Sequence, residues 1–156
     1  MFSALLTVHI TAGVICLITG LISMLSKKRK GRHTWSGEVY HASFVIIFLT
    51  SVTMALMHWE ESAYLFYIGF FSYSFAIIGY LAVKRKWRNW LLYYISGMLG
   101  SYIAVITAVL VVNAQKIGFL QGVPILLVWF LPTIVGSPLI ALVNRKYALK
   151  KASASS

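Results

Sequence analysis

Four histidines, His9, His33, His41 and His58, are the side chains in this sequence with the widest chemical reach. A neutral imidazole ligates a metal or haem iron, and its pKa lies near neutrality. His9 and His41 fall inside long apolar runs, His58 closes one, and His33 stands among five cations, where a phosphate or lipid head group suits it better than a metal. Spacing limits what they can share. On one helix, the seventeen residues from His41 to His58 separate them by about 25 Å, too far for a common ligand. An outer pair of His9 and His58 stays geometrically open. The competing assignments are plain ones: His9 bonded to a neighbouring hydroxyl, and the other three as interfacial polar groups.

Other reactive sets are absent from the sequence. The single cysteine, Cys16, excludes an intramolecular disulfide or a multi-cysteine metal site. The three acids, Glu38, Glu60 and Glu61, stand at the ends of apolar runs, where Glu38 with Ser36 suits the start of a helix. No Ser-His-Asp set and no Walker loop can be assembled, so the chain is not read as an enzyme. Hydroxyls do line the middle of the apolar runs: Thr50, Ser51, Ser72, Ser74, Ser101, Thr133 and Ser137, with Tyr73 and Tyr102. No Asp, Glu, Lys or Arg is central, which argues against a proton- or ion-coupled carrier.

The elements that must position these residues follow from composition. Of 156 residues 60% are hydrophobic and 11% charged, against about 45–50% and about 25% in a soluble domain. Five apolar runs, at 3–25, 39–58, 63–83, 90–112 and 121–143, each reach the length of about 20 residues that crosses a bilayer. Unpaired N–H and C=O groups are not tolerated in hydrocarbon, and no apolar/polar alternation supports a barrel. An all-α integral membrane protein is expected, a bundle of five transmembrane helices. One transmembrane domain covers 1–146, and 147–156 forms a frayed cytoplasmic tail. Met1 and Phe2 carry no side-chain charge ahead of the first run, so that run reads as a retained span and not a cleaved signal.

A net charge of +11 would suggest nucleic acid in a soluble chain. Its location argues otherwise. The cations sit in three turns: Lys27, Lys28, Arg29, Lys30 and Arg32; Lys84, Arg85, Lys86 and Arg88; Arg145, Lys146, Lys150 and Lys151, with Lys116 alone elsewhere. The turns follow spans one, three and five, so the positive-inside rule places the N-terminus outside and the C-terminus in the cytoplasm. Anionic lipid head groups are the expected partners of these basic loops, at about 1 kcal/mol per cation. Trp35, Trp59, Trp87 and Trp90 fall at span ends, as interfacial anchors do.

Small residues at four-residue spacing, Gly97 with Ser101 and Gly100 with Ala104 and Ala108, mark span four as a packing helix, within the bundle or between copies of the chain. Pro132 and Pro138 should kink or locally break span five.

The segments Lys30-Gly31-Arg32-His33, Gly37-Glu38-Val39-Tyr40, Ser96-Gly97-Met98-Leu99-Gly100-Ser101-Tyr102-Ile103-Ala104 and Leu131-Pro132-Thr133-Ile134-Val135-Gly136-Ser137-Pro138-Leu139-Ile140 resemble a family of small bacterial multipass membrane proteins of unknown function. The resemblance runs from about His9 to Ile140. It implies a bacterial cytoplasmic membrane location and no particular activity. It also implies a histidine near the start of span four, where this chain has Tyr93-Tyr94, a departure that weighs against haem.

Three functions fit. The first is a binder of a small hydrophobic or cofactor-like molecule, haem or quinone, through His9, with His41, His58, Tyr73 and Tyr102 as further ligand contacts. The second is a small uncoupled exporter using the hydroxyls and the span-five kink. The third is an accessory subunit of a membrane complex, presented by the aromatic third span.

Overall fold

Apolar segments close their backbone hydrogen bonds internally when no water is present to take them. The computed structural model of the chain describes residues 1–28 and 31–153, with side chains through residue 148. Among the described residues the structure is all-helical, without strands. Its long helices are α1 (Phe2–Leu25), α2 (Arg32–Met57), α3 (Trp59–Lys84), α4 (Trp90–Asn113) and α5 (Ile125–Ser153), with a 3-10 turn at Gly118–Leu120 before α5. All five are long and apolar enough to cross a membrane. The chain divides into two compact units, Met1–Ile77 and Ile78–Ser156.

Four boundaries differ from the sequence expectation. Helix α2 starts at Arg32 instead of residue 39, so Ser36 is not a cap: it lies inside the helix, buried, and donates its hydroxyl to the Arg32 carbonyl at 2.8 Å. At 1.5 Å per residue the 26 residues of α2 run about 39 Å, longer than the hydrocarbon core of about 30 Å. The turn between α2 and α3 shrinks to His58, whose carbonyl accepts the Ser62 amide at 2.9 Å. Glu60 and Glu61 occupy the first turn of α3, where the helix dipole favours acids. Helix α5 begins four residues late, because Gly122 takes a left-handed φ of 83° and Pro124 follows. At its other end α5 continues through 147–153, part of the expected tail; residues 154–156, like Arg29 and Lys30, lie outside the described residues.

In the first unit α1 and α2 pack along a seam of small and polar residues. Helix α1 contributes Leu5, His9, Ala12, Cys16, Thr19 and Ser23, at alternating steps of four and three. Helix α2 answers with His33, Ser36, Tyr40, Ser43, Ile47 and Thr50 in the same rhythm. This spacing packs helices at a shallow angle. Small side chains bring the backbones close enough for dispersion to act where lipid supplies no hydrophobic drive. Cys16, fully buried, lies 3.9 Å from the Tyr40 carbonyl and fills the seam as a small apolar group. Helix α3 meets α2 through larger rings, with Tyr73 stacked on Phe48 at a centroid distance of 4.6 Å.

In the second unit Gly97 and Ser101 are buried on α4, Gly100 and Ala104 half-buried, and Ala108 exposed. Gly79, near the end of α3, comes up against the backbone of α4. A methyl group there would stand 3.0 Å from the Met98 amide nitrogen and 3.2 Å from the Gly97 carbonyl carbon. Helix α5 packs on α4 with Gly136 against the Ile103 side chain. It runs through Pro132 and Pro138 without interruption, so the locally broken form expected for span five does not occur. Where α4 hands over to α5, Ala114, Leu120 and Val128 form a small buried cluster.

Candidate functional site

His9 lies on the α1 seam, half-buried, about 10 Å from the start of the helix. Its Nδ1 is 2.9 Å from the Thr50 hydroxyl oxygen on α2. That hydroxyl has one proton and two carbonyls within reach, Ile46 at 2.7 Å, nearer than His9, and Ile47 at 3.0 Å. Threonine in a helix gives its proton to such a carbonyl. The Thr50 oxygen is therefore left as an acceptor, and His9 must be the donor. A neutral imidazole has one N–H, so Nδ1 carries it and Nε2 keeps a lone pair. Second-sphere bonding of this kind fixes the tautomer of ligating histidines. The plain alternative for His9, a bond to a neighbouring hydroxyl, is what the structure contains.

The other sequence candidates sit elsewhere. His58 is exposed in the α2–α3 turn, its ring edge-on to Phe2 at 5.1 Å. His41 stacks on Tyr73 at 6.2 Å, and Phe44 lies at the same distance from Tyr73, so these residues form an aromatic cluster between α2 and α3. Tyr102 is half-buried on α4, in the second unit. Among the described residues no three His, Cys, Asp or Glu side chains group as metal ligands.

His33 repeats the His9 arrangement at the opposite end of the seam. Its Nδ1 is 2.9 Å from the Ser23 carbonyl, which can only accept, and 3.1 Å from the Ser23 hydroxyl. Lys28 folds back onto the same helix end, donating to the Ser23 and Met24 carbonyls at 3.2 Å each. Loss of water around it holds the Lys28 ammonium below the ordinary lysine value. These two side chains close the open carbonyls of α1, as cations at a helix C-terminus do. The first basic turn thus has an internal task.

Most hydroxyls in the spans bond to their own helix. Thr19, Thr53, Ser74 and Thr107 each donate to the carbonyl four residues earlier, and Ser101 to the one three earlier. Thr133 and Ser137 are exposed on α5.

One polar contact was not singled out in the sequence. Asn144 of α5 donates its amide to the Ser96 hydroxyl of α4 at 2.9 Å, and its Oδ1 is buried without a hydrogen-bond partner. A lone Asn in an apolar run was the available signal. Comparison with protein-family models, curated proteins and solved structures finds no match to the chain.

Proposed function

We propose that this is a multipass protein of the bacterial cytoplasmic membrane, N-terminus outside and C-terminus inside, which binds a small hydrophobic, cofactor-like molecule at His9. One contact carries the binding role: the Thr50 hydroxyl gives its proton to Ile46, so Nδ1 donates to Thr50 and a neutral ring keeps its lone pair on Nε2. A bare nitrogen in hydrocarbon calls for a metal or a hydrogen-bond donor. Haem iron meets that demand. So does a quinone in its reduced form, whose hydroxyl donates; the oxidised carbonyl offers nothing to Nε2. The inward bonding of the other hydroxyls favours binding over an exporter path. Anionic lipid at the basic turns follows from the charge clusters.

The test is to purify wild type and His9→Leu in mild detergent and to record the absorption spectrum and the mass of what accompanies each. A Soret band or a quinol retained by wild type and lost from His9→Leu supports the reading. The same bound species in both proteins, or none in either after addition of haem or quinol, overturns it.

A further inference from the structure

The amide of Asn144 has more bonding capacity than its surroundings use. Nδ2 donates to Ser96 Oγ at 2.9 Å, while Oδ1 is buried and bonds to nothing. Exchanging the amide oxygen and nitrogen would turn the same position into a donor. In the first orientation one buried polar atom lacks a partner, a cost of about 1–3 kcal/mol in protein interiors. In the first orientation the pair offers an acceptor, Oδ1, and a donor, the Ser96 O–H, side by side. A hydroxyl group answers both at once, since it donates to one and accepts from the other.

Charge narrows the class further. Arg145 and Lys146 follow Asn144 directly and are exposed. Ser96 lies six residues into α4, about 9 Å from the turn that holds Lys84, Arg85, Lys86 and Arg88. A cation or a head-group ammonium would be repelled there, whereas a phosphate would be held. We propose that the Ser96 and Asn144 pair seats the head group of an anionic phospholipid that carries a free hydroxyl, a glycerol head group being the simplest, with Arg145 and Lys146 beside its phosphate. The site rests on the membrane placement proposed above, which fails separately if the protein stays soluble without detergent.

Delipidated full-length protein titrated with defined lipids in detergent, followed by thermal unfolding, tests the site. Phosphatidylglycerol should bind about fivefold more tightly than phosphatidic acid, which is anionic but lacks the glycerol hydroxyl, the worth of one neutral hydrogen bond. Phosphatidic acid should in turn exceed phosphatidylcholine. Ser96→Ala and Asn144→Leu should each abolish the preference for the hydroxyl and keep the preference for charge. Arg145→Gln combined with Lys146→Gln should do the reverse. Lipid-free Asn144→Leu should unfold no earlier than wild type, because it loses the orphaned atom; earlier unfolding would show a purely structural pair. Circular dichroism confirms that each variant folds, and Ser96→Ala decides the matter if the leucine variant does not. Equal binding of phosphatidylglycerol and phosphatidic acid by wild type, a hydroxyl preference that survives Ser96→Ala, or equal protection by soluble glycerol phosphate would overturn the proposal.

Discussion

His9 Nδ1 and Thr50 Oγ1 lie 2.9 Å apart across the α1–α2 seam, with the Thr50 proton directed at the Ile46 carbonyl 2.7 Å away. The pair joins two helices and sets the imidazole tautomer. At the far end of the same seam His33 and Ser23 form a second cross-helix contact in the opposite direction, from α2 to α1. The hairpin is thus closed at each end by a histidine from one helix and a hydroxyl residue from the other.

Thr50→Val keeps the shape of the side chain and removes the acceptor. It should destabilise the protein in detergent by about 0.6 kcal/mol, the mean for hydrogen bonds between membrane helices, and by no more than about 1.7. In a double-mutant cycle with His9→Leu the two losses should not add. Ligand retention should fall in Thr50→Val as well, because the ring loses its fixed orientation.

Lys28 gives a dependence on pH whose sign is set. Its folded value lies below the ordinary 10.5, so between the two the unfolded chain binds more protons and stability rises with pH. Below that window the penalty is fully present. Subtracting the Lys28→Met profile from that of wild type should reveal a small rise across the alkaline range, small because the side chain is largely exposed. A fall with pH in the difference curve would contradict the desolvation.

Two glycines should respond in opposite ways. Gly79→Ala places a methyl 3.0 Å from the Met98 amide nitrogen, a backbone atom that cannot swing aside, and should destabilise by about 1–3 kcal/mol. Gly13→Ala meets nothing within 4 Å inside α1 and should stabilise by about 0.5–1 kcal/mol. Thermal unfolding of both variants in one detergent makes the comparison.

Cysteines placed singly at Lys27, Lys86, Glu61 and Lys116 report the topology to a membrane-impermeant maleimide in intact cells. Glu61→Cys and Lys116→Cys should label from outside. Lys27→Cys and Lys86→Cys should label only after the membrane is opened. Cys16 is fully buried and should stay silent throughout.

The helices were legible because bilayer length and backbone bonding leave apolar runs no other form. Their packing was harder to read. In an all-apolar helix the buried face has no hydrophobic contrast, and the pattern that locates it is the recurrence of small and polar residues: Ala12, Cys16, Thr19 and Ser23 facing Ser36, Tyr40, Ser43 and Thr50. The early start of α2 escaped because Arg32 to Glu38 look polar and loop-like, yet His33 and Ser36 belong to the seam. The late start of α5 was written in Gly122 and Pro124. His9 stood out as a residue able to ligate, but only the position of Thr50 opposite it determines which nitrogen faces outward. Asn144 has no apparent role until Ser96 is seen across from it.

The most direct measurement is the nitrogen-15 spectrum of the His9 imidazole, assigned by its loss in His9→Leu, in ligand-free protein and after the co-purifying molecule is restored. Nδ1 is predicted to be protonated and Nε2 bare, with the larger shift at Nε2 on ligand binding. A protonated Nε2 in the free protein, or a spectrum that the ligand leaves unchanged, would contradict the binding role of His9.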